Sequence, residues 1–324
     1  MLSRKIYPKC ALSFNKIICA DPEFSKFYYM IGQPKPFDVT LRDGLQSLSR
    51  EQQQNFTLLE KINLYHRIRF NYQPKNIEIG SIVSEKVFPI FKNSINLFQD
   101  LQLYENSVHE LSGLEKHNNF MLVPNSKQLK NVINYPEMNY FSFITSVSEK
   151  FQVKNTKQSL DESYDNINEM MNMFKENNYR KKIPFIKLYV SCINECPIEG
   201  KIDKDYIVNR ILHLNKLNVD NICLSDTCGT LNDVDFEYIV DNCIFFGIPS
   251  SKFSLHLHVK NGREDIVQKI IHKALDRRII NFDVSALETG GCSVIMNKNQ
   301  IAPNLSYELY YKSLVDYIEK NVKE

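Results

Sequence analysis

The chain contains no apolar run near the ~18 residues that a membrane-crossing helix requires, so no membrane partner is expected. An excess of one charge is also missing. Against 40 Lys and Arg stand 38 Asp and Glu, a formal balance of +2 that leaves no electrostatic footprint for nucleic acid. Pairs such as Lys181-Lys182 and Arg277-Arg278 read as solvated surface. The eight cysteines include no CxxC pair and form no small secreted framework, which points to a reduced, cytoplasmic setting. A mitochondrial address is the second expectation, because Arg4, Lys5, Lys9 and Lys16 open the chain with no acid in the first twenty residues. No GxGxxG follows a strand-like segment, which argues against a dinucleotide-binding open sheet. Glycine is scarce at ten, yet Gly44, Gly80, Gly229, Gly262, Gly290 and Gly291 all fall at or just past expected strand ends. Those are places where backbone turns tightly or approaches a ligand.

What is present fits one large domain. A (β/α)₈ barrel occupies roughly 250 residues, and the chain has 324, of which 43% are hydrophobic. Segments rich in β-branched and aromatic residues predict strands at Phe37–Leu41, Asn76–Gly80, Asn119–Val123, Tyr140–Ile144, Pro184–Val190, Asn221–Leu224, Phe253–Leu257 and Ile280–Ala286. Amphipathic stretches separate them. In one, Asp203 is a candidate N-cap, and Ile207, Ile211 and Leu214 share a helical face. Strand–helix alternation implies a parallel sheet, and eight units imply closure into an α/β TIM barrel. The expected division is an N-terminal extension over 1–35 and a single barrel over 36–324.

Period-two alternation then identifies an inner face. In Phe253-Ser-Leu-His-Leu-His258, the apolar residues face the helical shell, while Ser254, His256 and His258 face the barrel axis. The last strand repeats this, with Asn281, Asp283 and Ser285 on the side opposite Ile280, Phe282 and Val284. Polar groups at strand ends mark the catalytic mouth of such a barrel. They are Arg42, Asp43, Glu78, Asp226, His256, His258, Cys292 and Asn304. Two His at i and i+2 stand roughly 6.5–7 Å apart at the backbone, close enough to share one cation. With the Asp43 carboxylate they suit a divalent metal that keeps open positions. An Asn304 oxygen would favour six-coordinate Mg²⁺ or Mn²⁺ over tetrahedral Zn²⁺. Cys192 and Cys196, without a nearby His, read as structural.

Several pieces carry a family resemblance. Asp38-Val-Thr-Leu-Arg-Asp-Gly-Leu-Gln46 resembles the opening signature of metal-dependent lyases and condensing enzymes on this barrel. Tyr189-Val-Ser-Cys-Ile-Asn-Glu-Cys-Pro-Ile-Glu-Gly-Lys-Ile202 is similar to the fifth-strand segment of the 3-hydroxy-3-methylglutaryl-CoA (HMG-CoA) lyases. Ile77-Glu-Ile-Gly-Ser81, Ser148-Glu-Lys-Phe-Gln-Val-Lys-Asn155, Leu224-Ser-Asp-Thr-Cys-Gly229, Leu255-His-Leu-His258 and Gly290-Gly-Cys292 follow in family order, from about residue 36 to 320.

The resemblance implies a fold, a reaction and roles. Asp43, His256, His258 and Asn304 would hold the divalent cation, and the substrate would be an acyl-CoA cleaved to acetyl-CoA and a keto acid. Arg42 would face the acyl-CoA enolate, with Glu78 orienting Arg42 or the metal shell. Asp226 with His256 would handle the hydroxyl proton, and Cys292 would help protonate the enolate. A homodimer is implied as well. Three departures stand out. Val259 follows the second His where the family has Asp, Glu288-Thr-Gly-Gly-Cys-Ser-Val294 lacks the family's leading Gly and its Pro-Tyr, and the stretch from Cys292 to Asn304 is longer than usual. Two alternatives stay open. One is an acetyl-CoA-dependent condensing synthase of the isopropylmalate or homocitrate type. The other is a degenerate barrel acting as a binding protein.

Overall fold

The computed structural model describes residues 8–112, 116–176, 184–291, 295–296 and 301–323. Eight parallel strands close a barrel in the order β1-β10-β9-β8-β5-β4-β3-β2. They are β1 (Pro36–Asp38), β2 (Asn76–Ser81), β3 (Asn118–Leu122), β4 (Tyr140–Ser146), β5 (Phe185–Ser191), β8 (Asn221–Asp226), β9 (Phe253–Leu257) and β10 (Phe282–Val284). A short antiparallel hairpin of β6 (Glu195–Cys196) and β7 (Gly200–Lys201) sits in the loop after β5 and was not expected. Closure rests on β1, which pairs with β2 on one side and β10 on the other.

Local chemistry explains the helices between strands. Leu58–Tyr72 begins with a capping box, in which Thr57 accepts from the Glu60 N–H and the Glu60 carboxylate accepts from the Thr57 N–H. Lys204–Asn215 starts as expected at Asp203, whose side chain accepts from the Tyr206 N–H, and it buries Ile207, Val208, Ile211 and Leu214. Each such buried aliphatic side chain contributes about 1.5–3 kcal/mol. The N-terminal helices Ala11–Ala20 and Pro22–Met30 pack on the outer shell, where Phe14 stacks on Tyr311 at 4.9 Å. Among the described residues, no helix is long and apolar enough to cross a membrane.

Three strands differ from expectation in ways that build the mouth. β1 stops at Asp38, and Thr40–Gly44 winds into a π-helical turn instead of continuing as strand. Both Asp43 and Gly44 N–H groups donate to the Val39 carbonyl. Asp38 fastens the turn by accepting from the Thr40 N–H and hydroxyl and from the Tyr307 hydroxyl. β2 shifts register against β3 between Glu78 and Gly80, a bulge that re-aims the strand beside the site. β10 is shorter than the expected Ile280–Ala286, because the Ala286 N–H turns to the Thr40 hydroxyl. Inside the barrel, Phe37, Val39 and Phe120 form one buried layer; Leu122, Tyr189 and Cys223 form another.

Candidate active site

The C-terminal ends of the strands open onto a cavity of about 260 Å³. At its floor, the π-helical turn presents Asp43, and β9 presents His256 with His258 just beyond it. The Asp43 Oδ2 atom lies 4.0 Å from His256 Nε2 and 3.9 Å from His258 Nε2. One ligand atom from each of the three residues lies within 4.8 Å of the others, all in buried side chains.

The other ring nitrogens explain why both Nε2 atoms point inward. His258 Nδ1 is 2.9 Å from the Asp226 backbone carbonyl, and His256 Nδ1 is 3.1 Å from the Asp283 carboxylate. Each Nδ1 therefore meets an acceptor. Such outer partners fix ring orientation in histidine metal sites.

Asn304 completes the floor. A bridge between His258 and Asn304 brings the amide over the carboxylate, and its Nδ2 donates to Asp43 Oδ2 at 2.9 Å and to the Thr289 carbonyl at 3.1 Å. Its Oδ1 is buried with no hydrogen-bond partner, as is His258 Nε2. Unpaired buried polar atoms are costly unless something occupies the space they face. Two imidazole nitrogens, a carboxylate and an orphaned amide oxygen are the donor set that a hard divalent cation takes. These residues fit such an ion.

Arg42 forms the adjoining wall. Its Nε donates to Glu78, its Nη1 donates to Asp43 Oδ1 at 2.5 Å, and its guanidinium lies 5.1 Å from the Tyr189 ring centroid. Tyr189 in turn donates its hydroxyl to Glu78 at 3.2 Å. Burial works against every charge here, and the neighbours decide the outcome. Burial would lower Arg42, but Glu78 and Asp43 hold it well above the ordinary guanidinium value. Burial would raise Asp43, but Arg42 and the two imidazoles hold it well below the usual carboxylate range. His256 is lowered by burial. For His258, burial also pulls downward, yet the nearby Asp43 carboxylate outweighs it and the value rises.

The fold thus gathers Arg42, Asp43, Glu78, His256, His258 and Asn304 at one mouth. It does not pair Asp226 with His256. The Asp226 carboxylate accepts from the Thr230 and Leu231 N–H groups, so it is committed to the loop after β8, and His256 pairs with Asp283 instead. Burial raises the Asp226 carboxyl above its ordinary value. Cys292 lies outside the described residues. Asp283, Lys187 and Tyr189 are the inner-face residues to which sequence reasoning gave no role. The alternation of the last strand already placed Asp283 inward, and the same period in Ile186-Lys-Leu-Tyr-Val190 would have found the other two. Val83, Val87, Phe88, Phe91, Ile144 and Phe151 give the cavity an apolar part, beside polar lining such as Gln46, Asn125, Asn155 and Thr227.

Comparison with known proteins agrees with this arrangement. No family model matches the chain. It is 24% identical to the hydroxymethylglutaryl-CoA lyase of Pseudomonas mevalonii over 258 residues, covering 80% of this chain and 77% of that protein. It is 25% identical to the mitochondrial enzyme of Gallus gallus over 260 residues, covering 80% and 78%. Among solved structures, an HMG-CoA lyase of Acinetobacter baumannii in complex with coenzyme A and 3-methylmalate superimposes with a TM-score of 0.65 at 21% identity, covering 89% of this chain and 84% of that one. That likeness bears on the fold. These lyase relatives match most of the chain that carries the Asp43, His256 and His258 cluster. Over most of its length the chain is therefore similar to the hydroxymethylglutaryl-CoA lyases, and it shares the barrel fold of the solved ones.

Proposed function

We propose that the protein cleaves HMG-CoA or a closely similar 3-hydroxyacyl-CoA, in a divalent-metal-dependent step, to acetyl-CoA and a keto acid. The observation that carries this reading is the convergence of His256 Nε2 and His258 Nε2 on the Asp43 carboxylate, with Asn304 Oδ1 left unpaired beside them. Asp43, His256, His258 and Asn304 would hold Mg²⁺ or Mn²⁺. When bound, such an ion supplies Lewis acidity toward an alcohol and a carboxylate.

The remaining work falls to the chain. Arg42 is buried, firmly cationic and pinned on two sides, so its charge is already oriented for the enolate that forms as the carbon–carbon bond breaks. Glu78 and Tyr189 hold it there. The apolar side chains of Val83, Phe88 and Phe91 in the lining limit water around the developing carbanion. Cys292 is proposed, on resemblance, to donate the proton that completes acetyl-CoA. The Gly291 N–H just before it donates to Asp43 Oδ2 at 3.1 Å. Asp226 is proposed to serve through its backbone carbonyl, which orients His258. The A. baumannii relative bound to coenzyme A supports an acyl-CoA substrate. By the same resemblance the working unit is proposed to be a homodimer.

The test is direct. Purified protein incubated with HMG-CoA and Mn²⁺ should release acetoacetate and acetyl-CoA in equal amounts, and chelation should stop both. Absence of product with metal present, from folded protein, overturns the assignment.

A further inference from the structure

His256 and His258 are oriented by different means, and the difference has a consequence. The acceptor for His258 Nδ1 is the Asp226 backbone carbonyl, which no substitution removes. The acceptor for His256 Nδ1 is a side chain, Asp283 on β10, itself only 1% exposed. Beneath it, Lys187 on β5 is 2% exposed and bonds Asp283 Oδ1. The Lys187 ammonium also lies 3.4 Å from the Phe37 ring centroid and 4.6 Å from that of Tyr189, so aromatic faces seat it from two sides. The Cys223 thiol, 3.8 Å from Asp283 Oδ2, is the other neighbour of that carboxylate.

A neutral imidazole carries one proton. Whichever nitrogen holds it, the other offers the lone pair. An ionised carboxylate only accepts, so Asp283 beside Nδ1 requires the proton there and turns the Nε2 lone pair toward Asp43. Lys187 occupies Oδ1, which leaves Oδ2 for the ring and fixes the angle at which the carboxylate meets it.

We propose that Lys187 and Asp283 are positioning residues that select the tautomer of His256 able to ligate the cation. This rests on the metal-site reading above. His258 needs no such help, so the dependence is confined to one of the two imidazoles. Neither Lys187 nor Asp283 lines the cavity, so the pair acts through His256 rather than on substrate.

The first test uses the wild-type protein. Two-bond nitrogen–proton NMR on histidine-labelled, metal-free protein at pH 8 should show both His256 and His258 protonated at Nδ1, with assignment through His256→Gln. A His256 proton on Nε2 overturns the proposal. The second test measures Mn²⁺ affinity by calorimetry. An amide at position 283 can donate to Nδ1 and release the proton to Nε2, so Asp283→Asn should bind Mn²⁺ about 10–100-fold more weakly, as lost outer-shell partners commonly do. The His258 resonances should not move. Lys187→Met should weaken binding in the same direction and Lys187→Arg should restore it. If Asp283→Asn folds and binds Mn²⁺ as tightly as wild type, the positioning role is wrong while the metal site stands. If wild type itself takes up no Mn²⁺, the metal site falls and this proposal with it. Should Asp283→Asn fail to fold, the wild-type tautomer still decides.

Discussion

Asn304 sits so close over Gly290 that a β-carbon at that glycine would lie 2.4 Å from Asn304 Nδ2. Gly290 also holds a φ of +151°, a backbone conformation that side-chain-bearing residues rarely adopt. The glycine is therefore the space in which the amide rests. Gly290→Ala should displace Asn304 and weaken Mn²⁺ binding by about 10–100-fold. Calorimetric titration of the two proteins checks this, and equal affinities would show that Asn304 does not depend on that space.

Glu78 is the anchor of Arg42, and it is wholly buried. Removing one partner of a buried ion pair costs about 3–5 kcal/mol, an upper bound here because Asp43 still pairs with Arg42. Glu78→Ala should lose stability of that order in urea unfolding, while Glu78→Gln, which keeps the shape and one acceptor, should lose less. Similar losses in both variants would mean that the charge, which both remove, holds Arg42, and that the shape and acceptor kept by Gln contribute nothing.

Asp38 predicts a pH dependence. Burial raises its carboxyl to about 7 in the folded state, against a model-peptide value of 3.8, despite the bonds from Tyr307 and Thr40 that favour the anion. The folded protein therefore holds a proton that the unfolded chain releases. Its stabilising contribution is complete below about pH 4 and is lost as pH rises through about 7, with a slope of at most about 1.4 kcal/mol per pH unit. Asp38→Asn should flatten the stability profile between pH 4 and 7. An unchanged slope in urea melts across that range would assign the dependence to another group.

Lys61 braces the apolar side of the cavity. Its ammonium bonds the Ile90 carbonyl and the Asn93 side chain at 2.6 Å, fastening the segment that carries Phe88 and Phe91. Lys61→Met would leave two acceptors short of a donor at about 1–3 kcal/mol. The expected kinetic signature is a raised KM for the acyl-CoA with kcat changed much less. A fall in kcat alone would place Lys61 nearer the chemistry than its contacts do.

Period and composition made the barrel legible. Every expected strand overlaps an observed one, and β9 matches residue for residue, because alternation in Phe253-Ser-Leu-His-Leu257 is a local property of the strand. The cluster of Asp43, His256 and His258 followed, since two strand-end signals on one inner face must meet when the barrel closes. Long-range backbone chemistry hid the rest. Thr40 and Leu41 read as the end of the first strand until the Val39 carbonyl collects the amides that wind Thr40–Gly44 into a π-helical turn. The bonds that the Asp226 carboxylate accepts from the Thr230 and Leu231 amides were likewise not legible in the sequence. Lys187 carried no signal of its role, because its partner Asp283 lies 96 residues away and meets it only across the closed barrel.

Metal stoichiometry tests the account at its centre. Chelator-treated protein titrated with Mn²⁺ in a calorimeter should take up one ion per chain, and Asp43→Ala and His258→Ala, both folded by circular dichroism, should take up none. Uptake by Asp43→Ala equal to that of wild type, or no uptake by wild type, would contradict it.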